Sequence, residues 1–372
     1  MSATAVCRTA DELGAAGVNG PIGNRRSVMG AMPSCTPSAT ASSSSTIAAL
    51  VPTRLVPAEG SLLNRILDET YPVWNEGLTR EAYGKWNAAQ QRTPWGSEHL
   101  RRFALVDAAG TLLASAKRYR FAARLHGRDV QMAGLGAVFT PVDLRGRGHA
   151  SELIEQLLAQ EQRDGVAMAG LFSQIGEDYY RRLGFSLVPL TEVDVEVTVK
   201  KKGSPAMLVR AGDERDFSEL AKMHVIRSAS APFSLHRDPA LIHYSISKKR
   251  MQAGLGPTGL RQTEFFVAEE GASAVAYVVL TVSKGGWTLE EAGDRDPAGA
   301  RLGAMLQVLI AREPSHTTPR IRAWWPPSFT VPPQLRLTAP VAARDRFMVR
   351  ALADLPMPVA SEDVFYWRSD YF

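Results

Sequence analysis

Cysteine is almost missing from this chain. Among 372 residues only Cys7 and Cys35 carry a thiol. Two such residues give neither a disulfide framework nor the paired spacings that hold zinc, so no metal is expected. The shortage fits a reducing compartment, and a cytoplasmic location is the expectation. Long apolar runs are missing as well. None approaches the roughly 18 residues of a membrane span, which predicts a soluble protein with no membrane partner. Charge of one sign is not concentrated either. The net charge of +5 is modest for this length, and the one tight basic run, Lys200-Lys201-Lys202, stands beside Gly203-Ser204-Pro205 as a solvated linker would. Nucleic acid is therefore not expected as a partner, whereas a small anion is.

What remains is an ordinary globular composition, 45% hydrophobic and 22% charged, at a length that suits two domains. Residues 1–50 contain "SATASSSST" at 38–46 and no sustained period, which predicts a disordered tail. From Thr53 the pattern is regular. "SLLNRILDETYPVW" (61–74) and "TREAYGKWNAAQQR" (79–92) predict helices capped by Ser61 and Thr79. "RRFALVDAAGTLLASAKRYRF" (101–121) predicts two strands joined at Ala-Ala-Gly, and the turn "HGRD" (126–129) leads into a third, "VQMAGLGAVFT" (130–140). A glycine-rich loop then opens a helix whose apolar residues Ala150, Leu153, Ile154, Leu157 and Leu158 form one buried face. "VAMAGLFS" (166–173) reads as an apolar strand, "EDYYRRLG" (177–184) as a short helix and 185–199 as two further strands.

Past Gly203-Ser204-Pro205 the order restarts. "MLVRAGDERDFSELAKMH" (207–224) predicts a strand, a turn and a capped helix; "EFFVAEEGASAVAYVVLTV" (264–282) repeats the two-strand meander. "WTLEEAGDRDPAGARLGAMLQVLIA" (287–311) repeats strand, loop and helix, and "RIRAWW" (320–325) stands where the apolar strand stood. The fold class expected is α/β (α+β, mixed sheet): two tandem domains, 51–200 and 201–372, each a mostly antiparallel sheet flanked by helices. The second copy has "DPAGARLG" in place of an Arg-Gly-x-Gly loop, and "DVFYWRSDYF" (363–372) is expected to close the chain as a strand.

The loop in "FTPVDLRGRGHASELIEQLL" (139–158) is the most informative stretch. A helix start leaves several backbone N–H groups unpaired at the positive end of the macrodipole. Glycines let an anion approach that backbone, and Arg145 and Arg147 add fixed charge, so strand, loop and helix together suit a diphosphate. A dinucleotide fingerprint would need a third glycine where Ser151 stands and an acid at the end of the next strand, and "VAMAGLF" offers none. A P-loop would need Gly-Lys-Ser/Thr, which does not follow.

"LFSQIGEDYYRRLGF" (171–185) stands behind that loop. Together the two stretches resemble the GNAT superfamily of acyl-CoA N-acyltransferases. Arg145-Gly146-Arg147-Gly148-His149-Ala150 matches the family's Arg-Gly-x-Gly-x-Ala form, and Tyr180 to Phe185 matches its Tyr-x-x-x-Gly-Phe signature. The resemblance covers about residues 53–200 and, more weakly, 207–325. The tandem arrangement is similar to the enhanced-intracellular-survival type and the yeast lysine N-acetyltransferase type, without a sterol-carrier-like third domain. The resemblance implies acetyl-CoA as donor, its pantetheine arm on the backbone of Val138, Phe139 and Thr140 and its pyrophosphate on the amides of Arg145 to Ala150, with His149 near phosphate. One extra residue between strand and arginine leaves open which of Val138 and Phe139 polarises the thioester carbonyl. Tyr180 falls on the family's general acid; Tyr179 has no family match.

The base is less defined. Glu177 and Asp178 open a helix as caps do, and His126 sits in a turn. Some multi-domain relatives place the last carboxylate of the chain in the acceptor site, which makes Phe372 a candidate. The family's acceptor pocket draws on the first two helices, here 71–97, where Trp74, Trp86 and Trp95 either line it or form core, with Glu76 and Glu81 as cation partners. The resemblance thus implies an acetyl-CoA-dependent N-acetyltransferase acting on an amine, small molecule or protein. A CoA-binding regulatory or scaffold protein without turnover is the alternative, and a homo-oligomer stays open.

Overall fold

The structure is a computed structural model and describes residues 52–198, 207–313, 318–357 and 359–372. The tail expected over 1–50 and the lysine run lie outside these. The first half runs β1 (Arg54–Pro57), α1 (Gly60–Trp74), α2 (Arg80–Arg92), α3 (Pro94–His99), β2 (Leu100–Val106), β3 (Leu112–Leu125), β4 (Arg128–Phe139), α4 (His149–Arg163), β5 (Met168–Ser173), α5 (Asp178–Arg181), β6 (Ser186–Leu187) and β7 (Thr191–Val197). The second runs β8 (Leu208–Ala211), α6 (Phe217–Ser228), β9 (Phe233–Leu235), α7 (Pro239–Leu255), β10 (Arg261–Glu270), β11 (Ser273–Ser283), β12 (Gly286–Asp294), α8 (Ala300–Arg312), β13 (Ile321–Ala323), β14 (Leu335–Ala342), β15 (Arg346–Ala351) and β16 (Val364–Phe365).

Two mixed sheets result. In each, a short strand and helices precede three antiparallel strands, then a helix, then a strand parallel to the third: β4 with β5, and β12 with β13. This is the expected pair of similar α/β folds. Leu153, Ile154 and Leu157 of α4 are fully buried against the first sheet, and Leu302, Met305 and Leu306 of α8 against the second. The helix-period stripes of the sequence are the reason. No helix among the described residues is long and apolar enough to cross a membrane.

The sheets do not divide at residue 200. β7 lies in the second sheet between β14 and β13, while β15 returns from the second half to lie between β5 and β6 of the first. Each half therefore supplies a strand to the other. Local details also differ from expectation. Thr79 caps α2, its hydroxyl accepting from the Ala82 N–H at 3.2 Å, but Ser61 caps nothing, because α1 starts at Gly60 behind Glu59. The closing segment is a strand only at Val364–Phe365, paired with β9. The chain then turns inward through Trp367–Asp370, where the Trp367 N–H donates to Asp370 at 2.9 Å. Buried Arg237 holds that turn: it donates to Glu291 at 2.7 Å and its Nε lies 3.4 Å from Asp370. Burial of apolar surface around Trp367, 1% exposed, outweighs the strand period there.

Candidate active site

β4 pairs with β5 only from Met132 to Leu135, opposite Met168 to Leu171. On its other edge the register with β3 slips, Lys117 standing opposite Gly136 and Ser115 opposite Phe139, and Ala137 takes φ +48°. A positive φ at a non-glycine residue together with such a slip marks a bulge. Beyond Leu135 the backbone of Gly136, Ala137, Val138 and Phe139 thus leaves β5 and has no ladder with it. That is a free strand edge, one that an extended amide-bearing ligand can hydrogen-bond.

The glycine loop lies at the end of the same strand. Gly146 and Gly148 take φ +77° and +86°, and no atom stands within 4 Å of where a Cβ would be at either. Gly148 is the N-cap of α4 and supplies no side-chain bond, so the first amides of this 15-residue helix have no side-chain cap. Arg145 donates to the Thr140 carbonyl at 3.3 Å and Arg147 to the Asp143 carbonyl at 3.1 Å; both are exposed, and neither pairs with a carboxylate among the described residues. Nδ1 of His149 is buried without a partner. An uncapped helix start, open glycines, two guanidinium groups without a carboxylate and an orphaned imidazole nitrogen fit a diphosphate.

The matching place in the second half is closed. A Cβ on Gly299, the N-cap of α8, would lie 2.9 Å from Pro332, and one on Gly303 would lie 2.1 Å from the Gln334 side chain. The buried Asp294 carboxylate accepts from the Leu302 N–H at 2.8 Å and the Asp296 N–H at 2.8 Å. A carboxylate of the chain itself thus stands where an anion would bind.

A cavity of about 630 Å³ opens beside the bulge. Gly136, Ala137 and Val138 line it, and so does Tyr180, which is 7% exposed. Burial, with Tyr179 adding, pushes the Tyr180 hydroxyl up to about 12, so it carries its proton at neutral pH. Tyr179 instead bonds the Ser151 hydroxyl at 3.0 Å and does not line the cavity. Phe372 reaches the same cavity from the other half of the chain. Its ring packs 5.4 Å from Tyr119, 5.1 Å from Phe121 and 5.2 Å from Phe172, and its main-chain carbon and oxygen lie 3.3 Å from where a Cβ on Gly136 would be. Lys248 fastens this end by donating to the Tyr371 carbonyl at 2.6 Å.

Of the residues expected at the acceptor pocket, Trp74, Trp86 and Glu76 line the cavity. Trp95 does not: it is core, 4.7 Å from the Tyr244 ring and 5.2 Å from Phe121. Glu81 points to solvent and pairs with Lys85 at 2.6 Å, one helical turn on. Val138 and Tyr180 share the cavity, while Phe139 is buried beside it, its ring 6.2 Å from Trp74. Sequence reasoning missed Lys117, Lys248 and Asp345, all on the cavity wall. For α7, which carries Lys248, the signal was available: Asp238 accepts from the Leu241 N–H at 2.7 Å and Pro239 is the first helical residue.

Residues 66–188 match the family model of the acetyltransferase (GNAT) domain. Among curated protein sequences none matches the chain. Several solved structures share its fold at low identity. A conserved protein of Enterococcus faecalis V583, described as a probable N-acyltransferase, aligns at TM-score 0.59 and 15% identity over 81% of this chain and 72% of that one. GCN5-related N-acetyltransferases of Kribbella flavida (TM-score 0.56, 17% identity, 81% and 71% covered) and Anabaena variabilis (0.58, 14%, 81% and 73%) align over similar lengths. At such identities the likeness is one of fold, and it extends through both sheets. The domain match takes in the bulge and the tyrosine on the cavity wall and the glycine loop that follows the strand, so the segment 66–188 is similar to the GNAT acetyltransferases.

Proposed function

We propose that the chain transfers an acetyl group from acetyl-CoA directly to an amine, with the first half providing the donor site. The observation that carries this reading is convergence: a free strand edge and a protonated buried tyrosine border one cavity, and the same strand leads on into an uncapped glycine loop. Val138, Phe139 and Thr140 would hold the pantetheine amides, and the amides of Arg145 to Ala150, with the two guanidinium groups, the pyrophosphate. An N–H of Val138 or Phe139 would polarise the thioester carbonyl.

In the transfer the amine nitrogen bonds to the carbonyl carbon as the C–S bond breaks. Tyr180 gives its proton to the departing sulfur, and the Phe372 carboxylate takes the proton the amine loses, directly or through water. Release of free CoA thiol from acetyl-CoA across a panel of amines tests the activity. Tyr180→Phe should lower turnover by about 10²–10⁴-fold with acetyl-CoA affinity unchanged, whereas Tyr179→Phe should do little. Normal turnover in Tyr180→Phe refutes its role as acid. Tight acetyl-CoA binding with no turnover of any amine would leave a CoA-binding scaffold.

A further inference from the structure

Two of the five basic residues on the cavity wall hold no carboxylate among the described residues. Three cations on its wall hold carboxylates: Lys249 on Glu290 at 2.7 Å, Arg261 on Glu76 at 3.6 Å and Arg368 on Glu192 at 3.3 Å. Lys117 and Lys248 hold none among the described residues. Lys117 reaches the Gln90 side-chain oxygen at 3.5 Å and lies 5.5 Å from the Trp86 ring centre. Lys248 reaches the Tyr371 carbonyl, and a carbonyl neutralises no charge.

Directly across the β2–β3 ladder from Lys117 stands Arg102. It is 4% exposed; one guanidinium nitrogen reaches the Asn87 side chain at 3.4 Å, and Nη1 is buried with no partner. Like charges opposite one another in a sheet repel, and burial out of water makes the arrangement costlier. Burial, with Arg102 and Lys248 adding, holds Lys117 well below the usual lysine range; burial and Lys249 lower Lys248 to about 7 against the pull of Glu290 and Asp370. The phenols of Tyr83, Tyr119 and Tyr244 are the other titratable groups packed around the three cations. Charge on Lys117 and Lys248 is therefore costly until a counter-charge reaches them, and neither holds a carboxylate among the described residues. Of the acidic side chains on the same wall, Glu76 and Glu290 are paired, whereas Asp345 has an oxygen buried and unpartnered.

Resting on the acetyl-transfer reading above, we propose that this cavity selects a substrate that bears a carboxylate, held between Lys117 and Lys248 with Arg102 behind them. A bound carboxylate supplies the missing counter-charge and accepts the lysine donors, and Asp345 suits a cationic group at the substrate's other end. The carboxylate belongs either to the amine, as in an amino acid, or to the acyl group, as in a dicarboxylic acyl-CoA.

Matched pairs tested on the full chain separate these. Lysine is set against cadaverine, ornithine against putrescine and 4-aminobutyrate against butylamine, each with acetyl-CoA and with succinyl-CoA. If the amine carries the carboxylate, the acid of each pair shows about 10- to 100-fold higher kcat/KM with acetyl-CoA. If the acyl group carries it, the preference appears instead as succinyl-CoA over acetyl-CoA. Lys117→Met and Lys248→Met should each abolish most of that preference, and Lys117→Arg should retain it. Methionine fills the lysine volume and removes repulsion, so both Met variants should melt no lower than the parent. Should no amine react, binding of N-acetylglycine against N-acetylglycinamide is compared by calorimetry. Equal turnover within every pair and with both donors, or equal or absent binding of the two glycine ligands, overturns the proposal. Failure of the underlying acetyl-transfer reading appears separately, as absence of acetyl-CoA binding heat.

Discussion

Gly134→Ala puts the placement of Phe372 to a steric test. Gly134 lies in β4 two residues before Gly136, on the face that looks into the cavity. A methyl group there would sit 2.7 Å from Cε2 of Phe372 and 2.8 Å from Cε2 of Phe121. Carbon atoms in contact prefer about 3.5–4.0 Å, so one ring must give by roughly 1 Å. Phe121 cannot yield easily, because it is stacked between Tyr119 at 5.9 Å and Trp95 at 5.2 Å. The Phe372 ring is the freer of the two and should move, taking with it the carboxyl that stands beside Gly136. Overpacking of this kind costs about 1–3 kcal/mol of stability, and a 1 Å misplacement of a reacting group costs on the order of 10²-fold in rate. Urea denaturation and acetyl-transfer turnover measure the two effects, with acetyl-CoA affinity as the control that should not move.

Phe372→Ala in the same chain removes one of the two clashing rings and opens room for Phe121 to give, so it should relieve the strain. The two substitutions are expected to show a coupling of about 1 kcal/mol beyond additivity. Strict additivity within about 0.3–0.5 kcal/mol would refute the clash. An unchanged rate in a destabilised Gly134→Ala protein would refute the catalytic use of the carboxyl while leaving the packing argument intact.

In the donor site, Arg145→Glu with Arg147→Glu, or Gly148→Val alone, should weaken acetyl-CoA by at least about ten-fold in calorimetry, since each charge-assisted contact is worth roughly 1.5–3 kcal/mol. The parent should bind one acetyl-CoA per chain, because Asp294, Pro332 and Gln334 close the second loop; two equal sites would refute that. Lys248 makes stability rise with pH relative to Lys248→Met: its folded value of about 7 lies below the unfolded value near 10.4, so between them the unfolded chain binds more protons. Urea curves at pH 6.5 and 9.5 should show the gap between parent and variant moving in the parent's favour at the higher pH. Arg237→Met should destabilise by about 3–5 kcal/mol, since it strands Glu291 and Asp370 in the interior without their cation.

The loop and tyrosine of the proposed donor site could be picked out because their signals are local. Two glycines in left-handed backbone at the start of a helix, and a tyrosine four residues before Gly184, leave their mark within a few positions of sequence. Lys117 was not legible. In "LLASAKRYRF" it looks like one of several outward polar residues, yet β3 is covered on both sides, and Ala116, Tyr119 and Phe121 beside it are all buried. Alternation fails as a guide once both faces of a strand are packed. The tryptophans illustrate the same ambiguity on helices: Trp86 faces the cavity and Trp95 the core, and spacing alone assigns neither. Strand exchange left no local mark either. β7 reads as an ordinary strand and β15 was not anticipated at all, and nothing within ten residues of either says which sheet it will join.

That exchange explains how a half without a donor loop still serves the site. β15 inserts beside β5, which brings Asp345 to the cavity wall, and the segment after β16 returns to set Phe372 against Gly136. α7 packs on α2 and supplies Lys248, which ties down the Tyr371 carbonyl, while the Trp86 indole donates to the Lys248 carbonyl at 2.9 Å. Closing the second loop with Asp294 removes a competing anion site. The same half thus brings Lys248, Asp345 and Phe372 to the cavity, from elements far along the chain. A variant that loosens the Arg237 clamp should therefore impair the amine side of the reaction before the donor side, because every contact of the clamp leads to the Phe372 segment and none to the glycine loop.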